Sequence, residues 1–351
     1  LKIGILTFHF AHNYGAMLQA YSLRRFLREQ GFEAEIIAYE SDYFHGKYKI
    51  SPLVLKKNPV KVVKNLLRYP DKKAQAQRFE QFKSEYLGVG KKRISSSEEL
   101  RSATEDFDMI VVGSDQVWNA VLTNGDLTYF GESLSSSTPC ASYAACMGDY
   151  LNPSEQVLEL IRRFSAVSVR ETDALSALKD CGIDAQLCVD PVFLTDEKSW
   201  QSLSRTTTVQ PQKPYILYYS LQEPQELIDK ALELSREKNL PVYMIDGRLK
   251  SRKMQGTLLK SAGPCEFLSL IKNAEYICTD SFHALAFAAI FDKKITVVHH
   301  AKTGSRTRNL LSLLGADEAQ SLVDCASLDK SRLIKMTADS KEYLKQLTIY
   351  N

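Results

Sequence analysis

The chain has 351 residues, 44% of them hydrophobic and 25% charged, which is enough for two α/β domains with buried cores. Its 45 Lys and Arg nearly balance its 42 Asp and Glu; a net charge of +3, with only short basic stretches such as Lys56-Lys57 and Lys91 to Arg93, argues against a nucleic-acid or membrane-surface protein. No apolar run approaches the ~20 residues of a membrane span, and the seven cysteines form no CxxC pair, so the reducing cytoplasm is the expected compartment.

Lys2 to Phe8 reads as an apolar strand that leads straight into the fold rather than as a signal peptide. After the polar loop His9 to Asn13, the residues Ala16, Ala20, Leu23 and Leu27 recur at helical spacing, and Gly31 ends that helix. Glu33 to Tyr39 supplies the next strand. Residues 51–87 are Lys-rich and amphipathic and predict one or two crossover helices. Phe107 to Val112 is the strongest strand signal of the first half, with further strands expected at 139–144, 166–169 and 186–189.

A second alternation starts near Pro214. Strands are predicted at 215–219, 241–245, 275–278 and 294–298, with helices at 225–238, 266–272, 281–291 and 306–314. Such alternation implies parallel sheets with helices on both faces. The fold class is therefore α/β, two Rossmann-like doubly wound domains facing a cleft. The boundaries expected are an N-terminal domain over 1–205, on the acceptor side, and a C-terminal domain over 206–335 carrying His283 and Arg306. Residues 336–351 are expected to return as a helix to the first domain. Ligands of open parallel sheets bind beyond the carboxyl ends of the strands, so the loops there are the candidates.

Five such segments carry chemistry. After the first strand, Asn13 and Gln19 offer uncharged polar groups, and Gly15 lets backbone approach a ligand at a helix start; a plain helix cap reads equally well. No GxGxxG is present, so dinucleotide binding is not supported. Gly113 to Asn119 opens a buried strand into Ser114, Asp115, Gln116, Trp118 and Asn119. Amides for hydroxyls and an indole face for C–H stacking suit a carbohydrate; the alternative is a capped turn with Trp118 in the core. Arg170 ends a short strand and can fork onto phosphate or carboxylate, or pair with Glu171 or Asp173.

The strongest segment is Thr279 to Ala284. Asp280 or Ser281 can cap a nearly all-apolar helix, which puts His283 in its first turn at the mouth of the cleft. The positive end of that helix favours the neutral imidazole that a general base needs. Finally, Lys302 to Arg308 combines Gly304, Ser305 and Arg306 at a helix start, a plausible anion site. His299 and His300 end the preceding strand without the companions of a metal signature.

In order along the chain, NYGAMLQAY (13–21), GSDQVWN (113–119), SYAACMG (142–148), SVRE (168–171), VDPVFL (189–194), TDSFHALAF (279–287) and the Arg segment before NLLSLLG (309–315) resemble the polysaccharide pyruvyl transferase family. The resemblance spans nearly the whole chain and implies a glycosyltransferase-B-like fold. It also implies transfer of the enolpyruvyl unit of phosphoenolpyruvate to two sugar hydroxyls as a cyclic ketal, in the making of bacterial surface polysaccharide. By the same resemblance His283 matches the family's catalytic His, and Arg170 and Arg306 match positions associated with the donor's anionic groups. Phosphoenolpyruvate is then a donor substrate, the acceptor a saccharide that can be lipid-linked, and neither metal nor organic cofactor is expected. Two other readings fit the same scaffold: a glycosyltransferase using a nucleotide sugar, and a non-catalytic saccharide-binding component.

Overall fold

The computed structural model describes residues 1–48, 59–90, 92–205, 211–245, 254, 256–299, 304–317, 319–325 and 327–347. Lys56-Lys57, Lys91, His300 and Lys302-Thr303 lie outside the described residues, as does the start of the expected crossover segment.

β1 (Lys2–Leu6) leads into α1 (Tyr14–Glu29). The Ala16 N–H donates to the Asn13 side chain at 3.2 Å, which starts the helix, and Gly31 at φ +90° turns the chain after it. β2 (Glu33–Ile36), α2 (Asp42–Tyr48), α3 (Pro59–Phe82), α4 (Ser97–Thr104), β3 (Met109–Val112) and β4 (Cys140–Ser142) follow. α5 (Glu155–Ile161), β5 (Ser168–Val169), α6 (Thr172–Asp180), β6 (Gln186–Leu187) and α7 (Glu197–Leu203) complete the first half. The second half comprises β7 (Ile216–Tyr219), α8 (Gln225–Lys238), β8 (Val242–Ile245), β9 (Thr257–Leu259) and α9 (Pro264–Asn273). It ends with β10 (Tyr276–Thr279), α10 (Phe282–Ile290), β11 (Lys294–Val298), α11 (Ser305–Leu313), β12 (Leu322–Cys325) and α12 (Ser331–Leu347).

The first sheet has the order β2-β1-β3-β4, all parallel. The short parallel pair β5-β6 continues it through bridges from Ala141 to Ala166 and from Ala145 to Val169. The second sheet has the order β12-β11-β10-β7-β8-β9 and is parallel except for β12, which runs antiparallel to β11. β9 and β12 are not in the sequence-based reading. Three and four residues are too short for the period-2 signal to separate from a loop. α12 begins at Ser331, earlier than the expected 336, and is fastened to the first sheet. The Val189 N–H donates to Ser340 Oγ at 3.0 Å, and the Tyr343 hydroxyl donates to the Ser142 carbonyl at 2.9 Å.

One apolar core joins both sheets, running from Ile3, Ile5 and Met17 to Phe267, Leu285 and Phe287. Tyr14 crosses between them: its ring stacks on Phe267 with centroids 4.5 Å apart, and its hydroxyl donates to the Ala262 carbonyl at 2.9 Å. Burial of side chains this size is worth about 1.5–3 kcal/mol each, so the two halves are held together by packing. Among the described residues no helix is long and apolar enough to cross a membrane.

Strand order fixes where a ligand can sit. In the first sheet the chain runs outward in opposite directions from β1 and β3; in the second it does so from β7 and β10. Loops leaving such a pair diverge and open a crevice at the carboxyl ends. The two crevices face each other.

Candidate active site

The cleft between the sheets encloses about 470 Å³. Its wall is built from both switch points: Asn13 to Gly15 after β1, Asp115, Gln116 and Asn119 after β3, Tyr219, Leu221 and Gln222 after β7, and Asp280 to His283 after β10. His299, Gly304, Arg306 and Thr307 after β11 close it. The first turns of α1, α10 and α11 therefore open on one space, and three positive helix ends favour an anion there.

His283 stands at the centre, in the first turn of α10, which Ser281 caps by accepting from the Ala284 N–H. The body of α10 is apolar and buried, so its first turn is fixed against the second sheet. The imidazole Nε2 lies 3.5 Å from a carboxylate oxygen of Asp190, outside hydrogen-bond geometry. That same oxygen accepts a hydrogen bond from Nη1 of Arg170, and the Val192 N–H donates to the other oxygen at 3.0 Å. Burial alone would raise the Asp190 carboxyl, but the Arg170 guanidinium and His283 outweigh it and hold it down to about 2. Asp190 is thus a buried anion that aligns a cation and an imidazole. Phe282 supports them from below, with the Arg170 guanidinium 4.7 Å above its ring.

Arg170 pairs with Asp190, not with Glu171 or Asp173, the partners its sequence neighbourhood offered. Burial works against its charge, and the carboxylates of Asp190, Glu171 and Asp115 more than restore it, so its pKa is raised. Arg306 differs. It lines the cleft, makes no hydrogen bond or ion pair with a described residue, and also borders a side chamber of about 300 Å³ that Arg170 and Asn309 line.

The remaining candidates separate into two groups. Asn13, Gly15, Asp115, Gln116, Asn119, Asp280 and Ser281 line the cleft. Asp115 does so from φ +66°, a conformation that costs a non-glycine residue about 1–3 kcal/mol and that clusters at functional sites. Asp280 accepts from the Ser220 hydroxyl and from the Leu221 and Gln222 N–H groups, all at 2.7–2.8 Å, so it holds the loop after β7 in place. Asn119 donates to Asp149, which also lines the cleft.

Trp118, Gln19, Ser114 and Ser305 do not line it. The expectation that Trp118 stacks on a sugar is corrected: the indole is wholly buried against Phe130 and Phe164, and its N–H donates to the Tyr129 carbonyl at 2.8 Å. Gln19 is also corrected to a structural tie. Its amide donates to Thr7 Oγ1 and the Ala16 carbonyl, and its oxygen accepts from the Ser114 N–H. The Ser114 hydroxyl donates to the Ala144 carbonyl, which turns it away from the ligand space. Ser305 is buried at the start of α11, while Gly304, Arg306 and Thr307 around it face the cleft.

Two residues were missed by sequence reasoning. Asp190 sits just after β6 and before a proline, a strand-end carboxylate that could have been flagged on position alone. His299 lines the cleft with both ring nitrogens unpartnered. Among the described residues eleven buried side-chain atoms lack a hydrogen-bond partner, and eight of these belong to Arg170, Glu171, His283, His299 and Asn309. Native interiors leave few such atoms; here His283 and His299 line the cleft, Arg170 and Asn309 line its side chamber, and Glu171 lines neither. No group of three His, Cys, Asp or Glu side chains among the described residues converges to hold a metal ion.

A family model described as polysaccharide pyruvyl transferase matches residues 13–299. Among curated proteins none matches the sequence. Similar solved structures include the Methanocaldococcus jannaschii UDP-GlcNAc 2-epimerase in complex with UDP-GlcNAc and UDP, at 15% identity and a TM-score of 0.52 over 100% of both chains. The Rickettsia bellii UDP-N-acetylglucosamine 2-epimerase is similar at 12% identity and a TM-score of 0.49, over 99% of this chain and 96% of its own. The E. coli heptosyltransferase WaaC with ADP-2-deoxy-2-fluoro heptose follows at 9% identity and a TM-score of 0.41, over 85% of this chain and 88% of its own. The architecture is that of the glycosyltransferase-B fold, two Rossmann-like domains about a cleft.

Proposed function

The chain belongs to the polysaccharide pyruvyl transferase family, and from that premise we propose that it transfers the pyruvyl unit of phosphoenolpyruvate to two hydroxyls of a saccharide, in the cytoplasm and without metal or cofactor. The observation that carries the reading is the position of Arg306, which borders both the cleft and its side chamber, beside the Arg170–Asp190–His283 cluster. Phosphoenolpyruvate bears a phosphate and a carboxylate, so more than one cation must hold it. Arg306 is free to bind one anionic group, and Arg170 supplies a second field that Asp190 does not fully cancel.

The bond changes balance within the two substrates. Two C–O bonds form at the former enol carbon, and its bond to the phosphate oxygen breaks. Of the two hydroxyl protons, one ends on the donor methylene, which becomes a methyl group, and the other on the released phosphate. His283 takes a hydroxyl proton as general base, with Asp190 behind it to stabilise the imidazolium that results. The acceptor lies against the first-sheet side, where Asp115, Gln116 and Asn119 offer hydrogen-bonding groups to hydroxyls.

Calorimetric titration with phosphoenolpyruvate, beside a panel of nucleotide sugars, tests the donor. Saturable binding of phosphoenolpyruvate is expected, and phosphate release in the presence of acceptor is expected to vanish in a folded His283→Ala protein. Binding of a nucleotide sugar with no response to phosphoenolpyruvate would replace this reading with glycosyl transfer.

A further inference from the structure

Glu171 follows Arg170 in the chain and stands at the N-terminal cap of α6, yet its side chain accepts no capping hydrogen bond. The residue is wholly buried, and neither carboxylate oxygen has a partner. The groups facing it come from three other elements. The loop after β4 brings the Cys146 thiol and the Met147 N–H close without hydrogen-bond geometry; the end of β5 brings Arg170; the first turn of α11 brings Arg306. Beyond Arg170 lie Asp190, His283 and Asp115. Arg170 leaves its own Nε and Nη2 unpartnered instead of bonding to Glu171.

A buried carboxylate with no hydrogen bond is held charged only by nearby cations. Here those cations are the two arginines that border the side chamber off the cleft. Once an oxyanion occupies them, their field at Glu171 is offset by a like charge, and only the weaker pull of the Cys146 thiol and the Met147 N–H still favours the carboxylate. We propose that Glu171 is a positioning residue that takes up a proton when an oxyanion binds at Arg170 and Arg306, going from carboxylate in the empty site to carboxylic acid in the occupied one. The proton comes from solvent, and no bond to the ligand is made or broken. Uncharged, Glu171 no longer competes with the ligand for the guanidinium groups, so they turn their full field on it. This rests on the reading of the cleft as a site for an anionic donor.

Two facts fit. Burial lifts the Glu171 carboxyl above its ordinary range against the pull of Arg170, Cys146 and Arg306, which leaves it poised to gain a proton. Burial also pushes the Cys146 thiol up to about 12, so the neighbouring sulfur is a neutral thiol and not a second anion.

The test is calorimetry of the wild type and Glu171→Gln with phosphoenolpyruvate and, separately, inorganic phosphate, at pH 7 in two phosphate-free buffers of different ionisation enthalpy. The wild type is expected to show proton uptake beyond that of the ligand, and Glu171→Gln to lose at least two thirds of that excess while binding as tightly or several-fold more tightly. Equal uptake in both proteins overturns the inference and leaves the donor reading intact; no binding of either anion to the wild type overturns both. Denaturant unfolding of the two free proteins adds a reading that needs no ligand. A carboxyl raised in the folded state loses stability as pH rises from its unfolded value, so the advantage of Glu171→Gln should grow as pH rises above the ordinary 4.5 and then level off. A flat difference overturns the inference. Glu171→Met serves the same comparisons if the glutamine variant does not fold.

Discussion

Gly15 packs directly on the imidazole of His283: a Cβ built on this glycine would fall 1.9 Å from Nδ1. The contact joins the first turn of α1 in one half to the first turn of α10 in the other, so the ring's orientation depends on both sheets. Gly15→Ala should therefore act mainly on the site. Forcing a methyl group onto a buried ring costs about 1–3 kcal/mol against a helix-propensity gain of at most about 1 kcal/mol, so thermal stability should fall modestly. Turnover should fall about a hundredfold, as it does when a reacting group is displaced by about 1 Å. Unfolding midpoint and phosphate release, measured on the same preparation, check the pair of outcomes.

Asp190→Asn leaves Arg170 buried without its anion. Breaking a buried pair from one side costs about 3–5 kcal/mol, and the loss should appear as a lower denaturant midpoint. The pH dependence has a definite sign. The Asp190 carboxyl is held at about 2 in the fold against 3.8 ordinarily, so its contribution is complete above pH ~4 and is lost as pH falls towards 2. Wild-type stability should drop across that window by on the order of 2 kcal/mol more than that of Asp190→Asn. Parallel pH curves would remove Asp190 as the anion that pairs with Arg170.

Trp118→Phe separates core from cleft. The indole is packed between Phe130 and Phe164 and donates to the Tyr129 carbonyl. Its loss leaves a buried carbonyl without its donor and a small void, a cost of about 1–3 kcal/mol. Saccharide and donor affinity should be unchanged. A tenfold loss of affinity in a stable variant would return Trp118 to the ligand's surroundings.

That residue shows where sequence reading reaches and where it stops. Apolar runs at 109–112 and 294–298 and the buried helix after Thr279 were legible because each carries its own burial signal over enough residues. From those runs follow the parallel sheets and the loops that line the cleft. What local pattern does not encode is direction within a turn. GSDQVWN offers an aspartate, two amides and an indole, and only the packing of 128–130 decides that the indole points inward while Asp115, Gln116 and Asn119 face the cleft. Nor does spacing encode partners brought together by topology. Arg170 bypasses Glu171 beside it for Asp190, because β5 and β6 pair in parallel and bring their carboxyl ends together. The contact of Gly15 with His283 crosses 268 positions of sequence and two sheets.

Asp280→Ala removes the acceptor of three hydrogen bonds that hold Ser220 to Gln222. Hydrogen bonds to a charged group are worth about 1.5–3 kcal/mol each, and water will replace part of that in a partly exposed loop. The expected result is a modest loss of stability with a larger rise in KM, since Leu221 and Gln222 line the cleft. Unchanged KM would mean the loop keeps its shape without the carboxylate.

Arg306→Ala distinguishes the two arginines. Arg170 is buried and paired, so its removal strands Asp190 and should weaken the fold. Arg306 makes no ion pair or hydrogen bond with a described residue and only adds to the field at Glu171, so its removal should move the unfolding midpoint far less than that of Arg170. Its guanidinium is instead available to the ligand, and a charged hydrogen bond worth about 1.5–3 kcal/mol predicts a ten- to hundredfold weaker anion affinity. The loss should shrink at high salt as the bare charge is screened. Phosphoenolpyruvate titrations of Arg306→Ala and wild type at two ionic strengths measure both effects. An unchanged affinity would remove Arg306 from the anion site and leave Arg170 to act there alone.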